Sequence, residues 1–190
     1  MKVLHFKRYL LVLSILFAML SCTTLRVNKS SKPMAEDNLS YHAKFMHIDS
    51  NNVKTFECDN FVFNAINNYS IASIRQGYKF LKCTQEPIAN MHYPSIIDTV
   101  FVFSNNKNII KAYKAQLKSF IFIVDLTNAK FKLVGAVKPG MSKDAFCRKF
   151  NISESIDEKV RLTNKDGNVD YLFNFKRNKL KRIRAELDID

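Results

Sequence analysis

The side chains that could do chemistry near neutral pH are a small set of histidines and cysteines. Beyond residue 22 the chain contains three of each, namely His42, His47, His92, Cys58, Cys83 and Cys147. A thiol beside an imidazole can act as a nucleophile, and Cys147 with His92 would be such a pair. The alternative is that Cys147 packs as a small apolar residue within a helix. Zinc sites favour closely paired ligands, which are missing here. Since HExxH, GxSxG and P-loop motifs are also missing, we predict no enzyme activity, no metal and no cofactor.

Cys22 differs from the other cysteines in what precedes it. Three basic residues come first, residues 9–20 are apolar, and small residues lead into the cysteine. This order is typical of a secretory signal, and the apolar stretch is shorter than the about 20 residues that span a bilayer. The segment before Cys22 resembles a bacterial lipobox. We therefore predict a lipoprotein signal peptide over residues 1–21 and lipidation of Cys22, the alternative being an ordinary signal peptide with a chance cysteine.

The chain is strongly basic, with 30 Lys and Arg against 17 Asp and Glu and a formal charge of +13. Residues 1–21 hold three basic residues and no acidic one, so the processed chain would carry +10. Six of its cations fall within nine residues, at Lys176, Arg177, Lys179, Lys181, Arg182 and Arg184. An exported protein rarely meets nucleic acid, so this cluster predicts a surface for anionic lipid headgroups, acidic glycans or acidic proteins. The alternative is a solvated sheet face that prevents edge aggregation.

Composition and polarity divide the rest of the chain. A hydrophobic content of 47% with 12% aromatic residues excludes a disordered chain. Residues 22–52 are polar and aperiodic and are predicted to form a tether. The alternative is that residues 41–48 pack on the folded part.

A weak repeat with an offset of 72 residues organises the folded part. Residues 98–107 and 170–179 share five of ten positions. Ser70 and Ser142 match at the same offset, and both are predicted to cap a helix. An apolar residue stands before each serine and another four positions after it, which is the spacing of a hydrophobic staple.

Alternating apolar residues predict the strands. They follow a period of two over residues 169–175 and again over residues 183–189, and the polar residues 176–179 between them favour a hairpin. Residues 160–162 fit a third strand. The apolar run at residues 120–124 is either a buried strand or the joint between two units.

The segment from Val134 to Phe146, with its Pro139-Gly140-Met141-Ser142 turn, carries a resemblance to a known family. Together with Tyr171-Leu-Phe173 it resembles the outer-membrane assembly-factor family that includes the small BAM-complex lipoprotein. It also resembles the β-lactamase-inhibitor-protein (BLIP) fold, which is a tandem of two such units. The resemblance implies an α+β fold of two tandem BLIP-like units, each a helix plus a small antiparallel β-meander. The units would span residues 53–118 and 119–190.

Cys58 and Cys83 are a candidate disulfide within the first unit. Their counterparts at the offset of 72 are Lys130 and Ser155, so the second unit lacks both cysteines together. An exported compartment permits disulfides, and such a bridge would contribute about 3 kcal/mol. Two separate buried thiols are the equally weighted alternative.

Together these features favour a non-catalytic cell-envelope lipoprotein that binds protein partners in an assembly or inhibitor-like role. The alternative function is binding of anionic lipid or acidic glycan through the basic C-terminal hairpin. We predict a lipid anchor in the outer membrane, on the periplasmic side because no acidic run directly follows Cys22, and no nucleic-acid partner.

Overall fold

Residues 39–187 are described by the structure, which is a computed structural model. The predicted signal peptide, Cys22 and most of the predicted tether lie outside the described residues. Nine strands and three short α-helices form in this part of the chain: β1 (Lys44–Ile48), β2 (Lys54–Glu57), α1 (Asp59–Val62), α2 (Ile71–Gly77), β3 (Lys82–Ala89), β4 (Ile97–Ser104), β5 (Ile109–Lys114), β6 (Ser119–Leu126), α3 (Lys143–Phe150), β7 (Lys159–Thr163), β8 (Val169–Lys176) and β9 (Lys179–Leu187).

All nine strands belong to one mixed sheet with the order β1-β2-β7-β8-β9-β6-β5-β4-β3. Every neighbouring pair is antiparallel except β2 and β7, which run parallel. The strands β3 to β6 follow one another as a meander, and β7 to β9 form a second one. Antiparallel pairing of β6 with β9 joins the two into a single sheet.

The predicted fold of two tandem helix-plus-meander units is therefore wrong. The described chain is dominated by one nine-stranded sheet, and its helices are short. The physical reason lies in the apolar run at residues 120–124, which sits in β6 and hydrogen-bonds to β5 on one side and β9 on the other. The predicted boundary at residue 119 coincides with the start of this shared strand.

Local features were predicted more accurately. The Ser70 and Ser142 side chains cap α2 and α3 by accepting hydrogen bonds from Ser73 N–H at 3.0 Å and Ala145 N–H at 3.1 Å. The β8–β9 hairpin is confirmed, and its two turn residues Arg177 and Asn178 both have positive φ, as a type I′ turn requires.

One face of the sheet carries the core. On β8 the alternate residues Tyr171, Phe173 and Phe175 are buried and face the helices. The Phe61 ring of α1 lies 4.8 Å from that of Phe150 on α3, and the Phe146 ring lies 4.9 Å from that of Phe173. Aromatic contacts thus attach α1 and α3 to the centre of the sheet. Within residues 39–187 the opposite face of the sheet carries no helix.

Part of the predicted tether packs on this core. Residues 44–48 form β1, and Tyr41 is buried between the rings of Phe61 and Phe150 at 5.2 and 5.3 Å. Backbone N–H groups of Tyr41 and Ala43 donate to carbonyls at the end of α3. The arrangement agrees with the alternative in which residues 41–48 pack on the folded part.

Candidate functional site

The face of the sheet opposite the helices carries mainly charged side chains, with a few aliphatic ones among them. Because side chains alternate along a strand, Asp170 and Leu172 on β8 and Arg184 and Glu186 on β9 point to this outer face. Five neighbouring strands, β7, β8, β9, β6 and β5, contribute to it. They line a shallow groove of about 410 Å³ whose outward-pointing residues are Arg161, Asp170, Leu172, Arg184, Glu186, Ile123, Asp125, Ile109 and Lys111.

Strand register places these side chains in two rows across the sheet. In the first row Arg184 lies opposite Leu172 on one side and Asp125 on the other. In the second row Glu186 lies between Asp170 and Ile123. Each row places two charged residues beside one aliphatic residue, so the groove has small apolar patches at Leu172 and Ile123 among charges of both signs.

Ion pairs cross this face and neutralise most of its arginines. The Arg161 guanidinium contacts Asp49 at 3.2 Å and Asp170 at 3.3 Å. Arg182 donates to both carboxylate oxygens of Asp125. Arg184 reaches Asp125 only at 3.9 Å and keeps a side chain that is 57% exposed. Arg184 is therefore the arginine of this face with the most unused donor capacity.

Asp49 fixes the β1–β2 turn beside the groove. Its carboxylate accepts hydrogen bonds from the backbone N–H groups of Asn51 and Val53, both at 2.9 Å. The hydrogen bond from Val53 is the main reason that the pKa of Asp49 lies below its usual value, and the Arg161 charge adds to the effect.

The structure splits the predicted basic cluster into two groups. Arg182 and Arg184 lie on the outer face and pair with Asp125. The other four cations lie at the hairpin end, are exposed and form no ion pair within residues 39–187, and they are Lys176, Arg177, Lys179 and Lys181. Only this second group is an uncompensated basic surface.

The structure does not join Cys58 to Cys83. Both are free thiols, with Cys58 buried at the start of α1 and Cys83 half-buried on the edge strand β3. Burial raises the pKa of Cys58 to about 11, and it also raises the pKa of Cys147 on α3. Thiols with raised pKa values are weak nucleophiles at neutral pH. His92 lies in the loop that follows the edge strand β3. Cys147 lies on α3, which packs against the central strand β8.

The described residues provide neither a metal site nor a membrane-spanning helix. Across residues 39–187 there is no group of three His, Cys, Asp or Glu side chains arranged to hold a metal ion. In the same range no helix has the length and apolarity needed to cross a membrane. Comparison of the chain with protein-family models, with curated proteins and with solved structures gives no match.

Sequence reasoning missed the partners that make the outer face a site. Asp170 could have been placed there from the alternation within β8, because it stands between predicted inward-facing residues. The position of Asp125 on the outer face could not have been predicted, because its contact with Arg182 depends on the pairing of β6 with β9, two strands that are distant in sequence. No local pattern predicts that contact.

Proposed function

We propose that this chain is a non-catalytic envelope lipoprotein that binds a protein partner through the outer face of its sheet. The observation that carries the proposal is the position of Arg184, exposed between Leu172 and the already paired Asp125. An exposed arginine beside an aliphatic side chain is a common contact at the centre of protein interfaces. The segment before Cys22 supports an envelope location.

The mixture of charges favours a protein over a polyanion at this face. Asp125, Asp170 and Glu186 would repel phosphate or uronate groups brought into the groove. Protein interfaces typically combine an apolar centre with charges of both signs at the rim. The groove therefore suits a protein surface of mixed charge better than an acidic glycan.

The test is affinity capture from envelope extract with the full chain and matched variants. Arg184→Ala and Leu172→Gln should each weaken retention of a discrete partner at least tenfold, the usual effect of losing a central contact. Lys82→Glu, on the edge strand β3, is the control and should retain the partner. Retention that is unaffected by either groove variant contradicts the proposal.

A second function is favoured by the four uncompensated cations of the hairpin end. Under that alternative the ligand is an anionic lipid headgroup or acidic glycan, and its binding should fall steeply with ionic strength. Glu substitutions at Lys176, Lys179 and Lys181 should then abolish binding while Arg184→Ala leaves it intact. Protein capture through the groove should show the opposite pattern.

A further inference from the structure

Two hairpin connections lie side by side at one end of the sheet. The loop at residues 90–96 joins β3 to β4, and the turn at residues 115–118 joins β5 to β6. Because β4 pairs with β5 so that Thr99 lies opposite Lys114, both connections project from the same end of neighbouring strands. We call these two connections, with their flanking strand ends, the paired tips.

The paired tips hold the most exposed large apolar side chains of the described residues. Leu117 is 97% exposed, and Tyr93, Met91 and Ile97 are each more than 60% exposed. Ile88 and Phe120 at the strand ends add partly exposed apolar surface. Single exposed apolar residues need no explanation, but a group of six at one end of a sheet indicates a contact surface.

A polar network holds the longer tip in place. The Asp98 carboxylate is buried and accepts hydrogen bonds from the Asn90 amide at 2.6 Å and from the Tyr113 hydroxyl. The Asn90 side-chain oxygen in turn accepts from the backbone N–H groups of His92 and Tyr93 at 3.0 and 2.9 Å. The loop is thus built to present Met91 and Tyr93 outward.

The same network connects the second tip to the first. Tyr113 lies on β5, and its ring is 5.4 Å from that of Phe120 at the start of β6. Phe120 lies two residues after the turn that carries Leu117. Contacts from Asp98 to Tyr113 and from Tyr113 to Phe120 therefore link the bases of the two tips.

The charges of the two connections are of one sign, apart from the buried Asp98 carboxylate at their base. Residues 88–97 and 114–120 contain no Asp or Glu, and Lys114 and Lys118 stand on either side of Leu117. Neither lysine forms an ion pair within residues 39–187. Apolar side chains at protruding turns, a tyrosine and flanking lysines are the combination found where proteins enter the interfacial region of a bilayer.

We propose that the paired tips insert into the interfacial layer of a membrane that contains anionic phospholipid, giving the protein a bilayer contact besides any lipid on Cys22. A membrane is favoured over a protein partner because residues 88–97 and 114–120 contain lysines and no acidic residue. The paired tips protrude at turns, and their cations suit phosphate headgroups.

Chain connectivity permits this contact. Sixteen residues separate Cys22 from Leu39, and a segment of that length reaches at most about 60 Å.

The membrane contact also fixes the orientation of the sheet. Since β9 runs antiparallel to β6, its hairpin with β8 lies at the opposite end of the strands from the turn at residues 115–118. The basic hairpin end would then face away from the membrane that the paired tips enter.

Tryptophan fluorescence tests the proposal cleanly because the chain contains no tryptophan. The full chain would be reconstituted with vesicles of phosphatidylethanolamine and phosphatidylglycerol whose acyl chains carry bromine. Leu117→Trp and Tyr93→Trp are the reporters, and Lys179→Trp at the opposite end is the matched control. We expect a blue shift and quenching by the brominated lipid for both reporters, and neither change for the control.

Three results would overturn the membrane contact. The first is an unchanged spectrum of both reporters with vesicles. The second is a shift of Lys179→Trp as large as that of the reporters, which would favour the basic hairpin as the lipid-binding end. The third is a shift of the reporters with soluble envelope extract but not with vesicles, which would identify a protein as the occupant. None of these results depends on whether the outer face binds a protein.

Discussion

Arg182 on β9 forms a bidentate ion pair with Asp125 on β6. The Arg182 Nε donates to Oδ1 at 2.7 Å, and its Nη2 donates to Oδ2. The pair spans the one ladder that joins the two meanders of the sheet. The hydrogen bond to Asp125 raises the pKa of the Arg182 guanidinium above its usual value. The same carboxylate also contacts Arg184 at 3.9 Å, so one aspartate compensates two arginines of the outer face.

Removing this carboxylate should change surface charge more than stability. We expect Asp125→Asn to lower the free energy of unfolding by about 1 kcal/mol or less, because pairs with a half-exposed arginine contribute little. The variant should elute from a heparin column at higher salt, since Arg182 and Arg184 lose their counter-charge. Asp157→Asn removes one negative charge from an exposed loop and is the control. Elution of both variants at the same salt concentration would show that Asp125 does not neutralise the charges of Arg182 and Arg184.

The stabilising effect of Asp49 should depend on pH in a defined direction. The folded pKa of Asp49 is lower than its usual value of 3.8 because the carboxylate accepts backbone hydrogen bonds and faces Arg161. Its contribution is therefore complete above about pH 4 and disappears as the pH falls through the folded pKa. Urea unfolding of wild type and Asp49→Asn should differ at pH 7 and converge in strong acid. A difference that stays constant with pH contradicts this role, and Asp166→Asn in the β7–β8 turn serves as the control.

Local elements of this fold could be predicted from the sequence because their causes are local. The serine caps of α2 and α3 follow from short-range side-chain chemistry, and their helices begin 72 residues apart, as do β4 and β8. The capping box of α2 escaped prediction because Ser73 occupies the position expected for Glu or Gln. The β8–β9 hairpin was predictable because its alternation and polar turn lie within twenty residues.

The assembly of those elements was not predictable, because it depends on contacts between distant segments. Nothing in the residues of β2 indicates that it pairs parallel to β7, about a hundred positions later. The short helix α1 carries Phe61, whose ring contacts those of Tyr41, Phe150 and Tyr171, and no local pattern indicates these partners. The outer-face site depends on the same long-range pairings, so the sequence predicted Arg182 and Arg184 as site residues but not Arg161 or the acidic residues.

Phe61 should be among the side chains on which stability depends most. It is fully buried and its ring contacts those of Tyr41, Phe150 and Tyr171. Phe61→Ala should lower the free energy of unfolding by about 3–5 kcal/mol through loss of burial and formation of a cavity. Phe63→Ala, two residues away but 53% exposed, should cost less than about 1 kcal/mol. Urea denaturation of both variants gives the comparison, and similar losses would contradict the packing described for α1.

Gly135 should be required for the packing of the segment at residues 39–43. Its φ is +69°, and an added Cβ would lie 2.9 Å from the Tyr41 ring. We expect Gly135→Ala to lower the free energy of unfolding by about 2 kcal/mol, from backbone strain and from displacement of Tyr41. Limited proteolysis should then cut near residue 40 faster than in wild type. Gly77→Ala is the control, because no atom lies within 4 Å of its added Cβ, and it should be neutral or slightly stabilising.

Thiol labelling should separate Cys58 from Cys83 and decide between free thiols and a bridge. A buried thiol with a pKa of about 11 is ionised in only about one molecule in ten thousand at pH 7. Iodoacetamide should therefore modify Cys83 in the native protein and reach Cys58 only after unfolding. Mass spectrometry of unreduced protein should find both thiols free. A linked Cys58–Cys83 peptide, or equal native labelling of the two residues, would contradict the placement of Cys58 in the core.

The raised pKa of Cys58 also predicts a pH dependence. Because the folded pKa of Cys58 is raised above 9.0, the free energy of unfolding should fall as the pH rises from about 9 towards 11, and Cys58→Ala should remove that part of the fall.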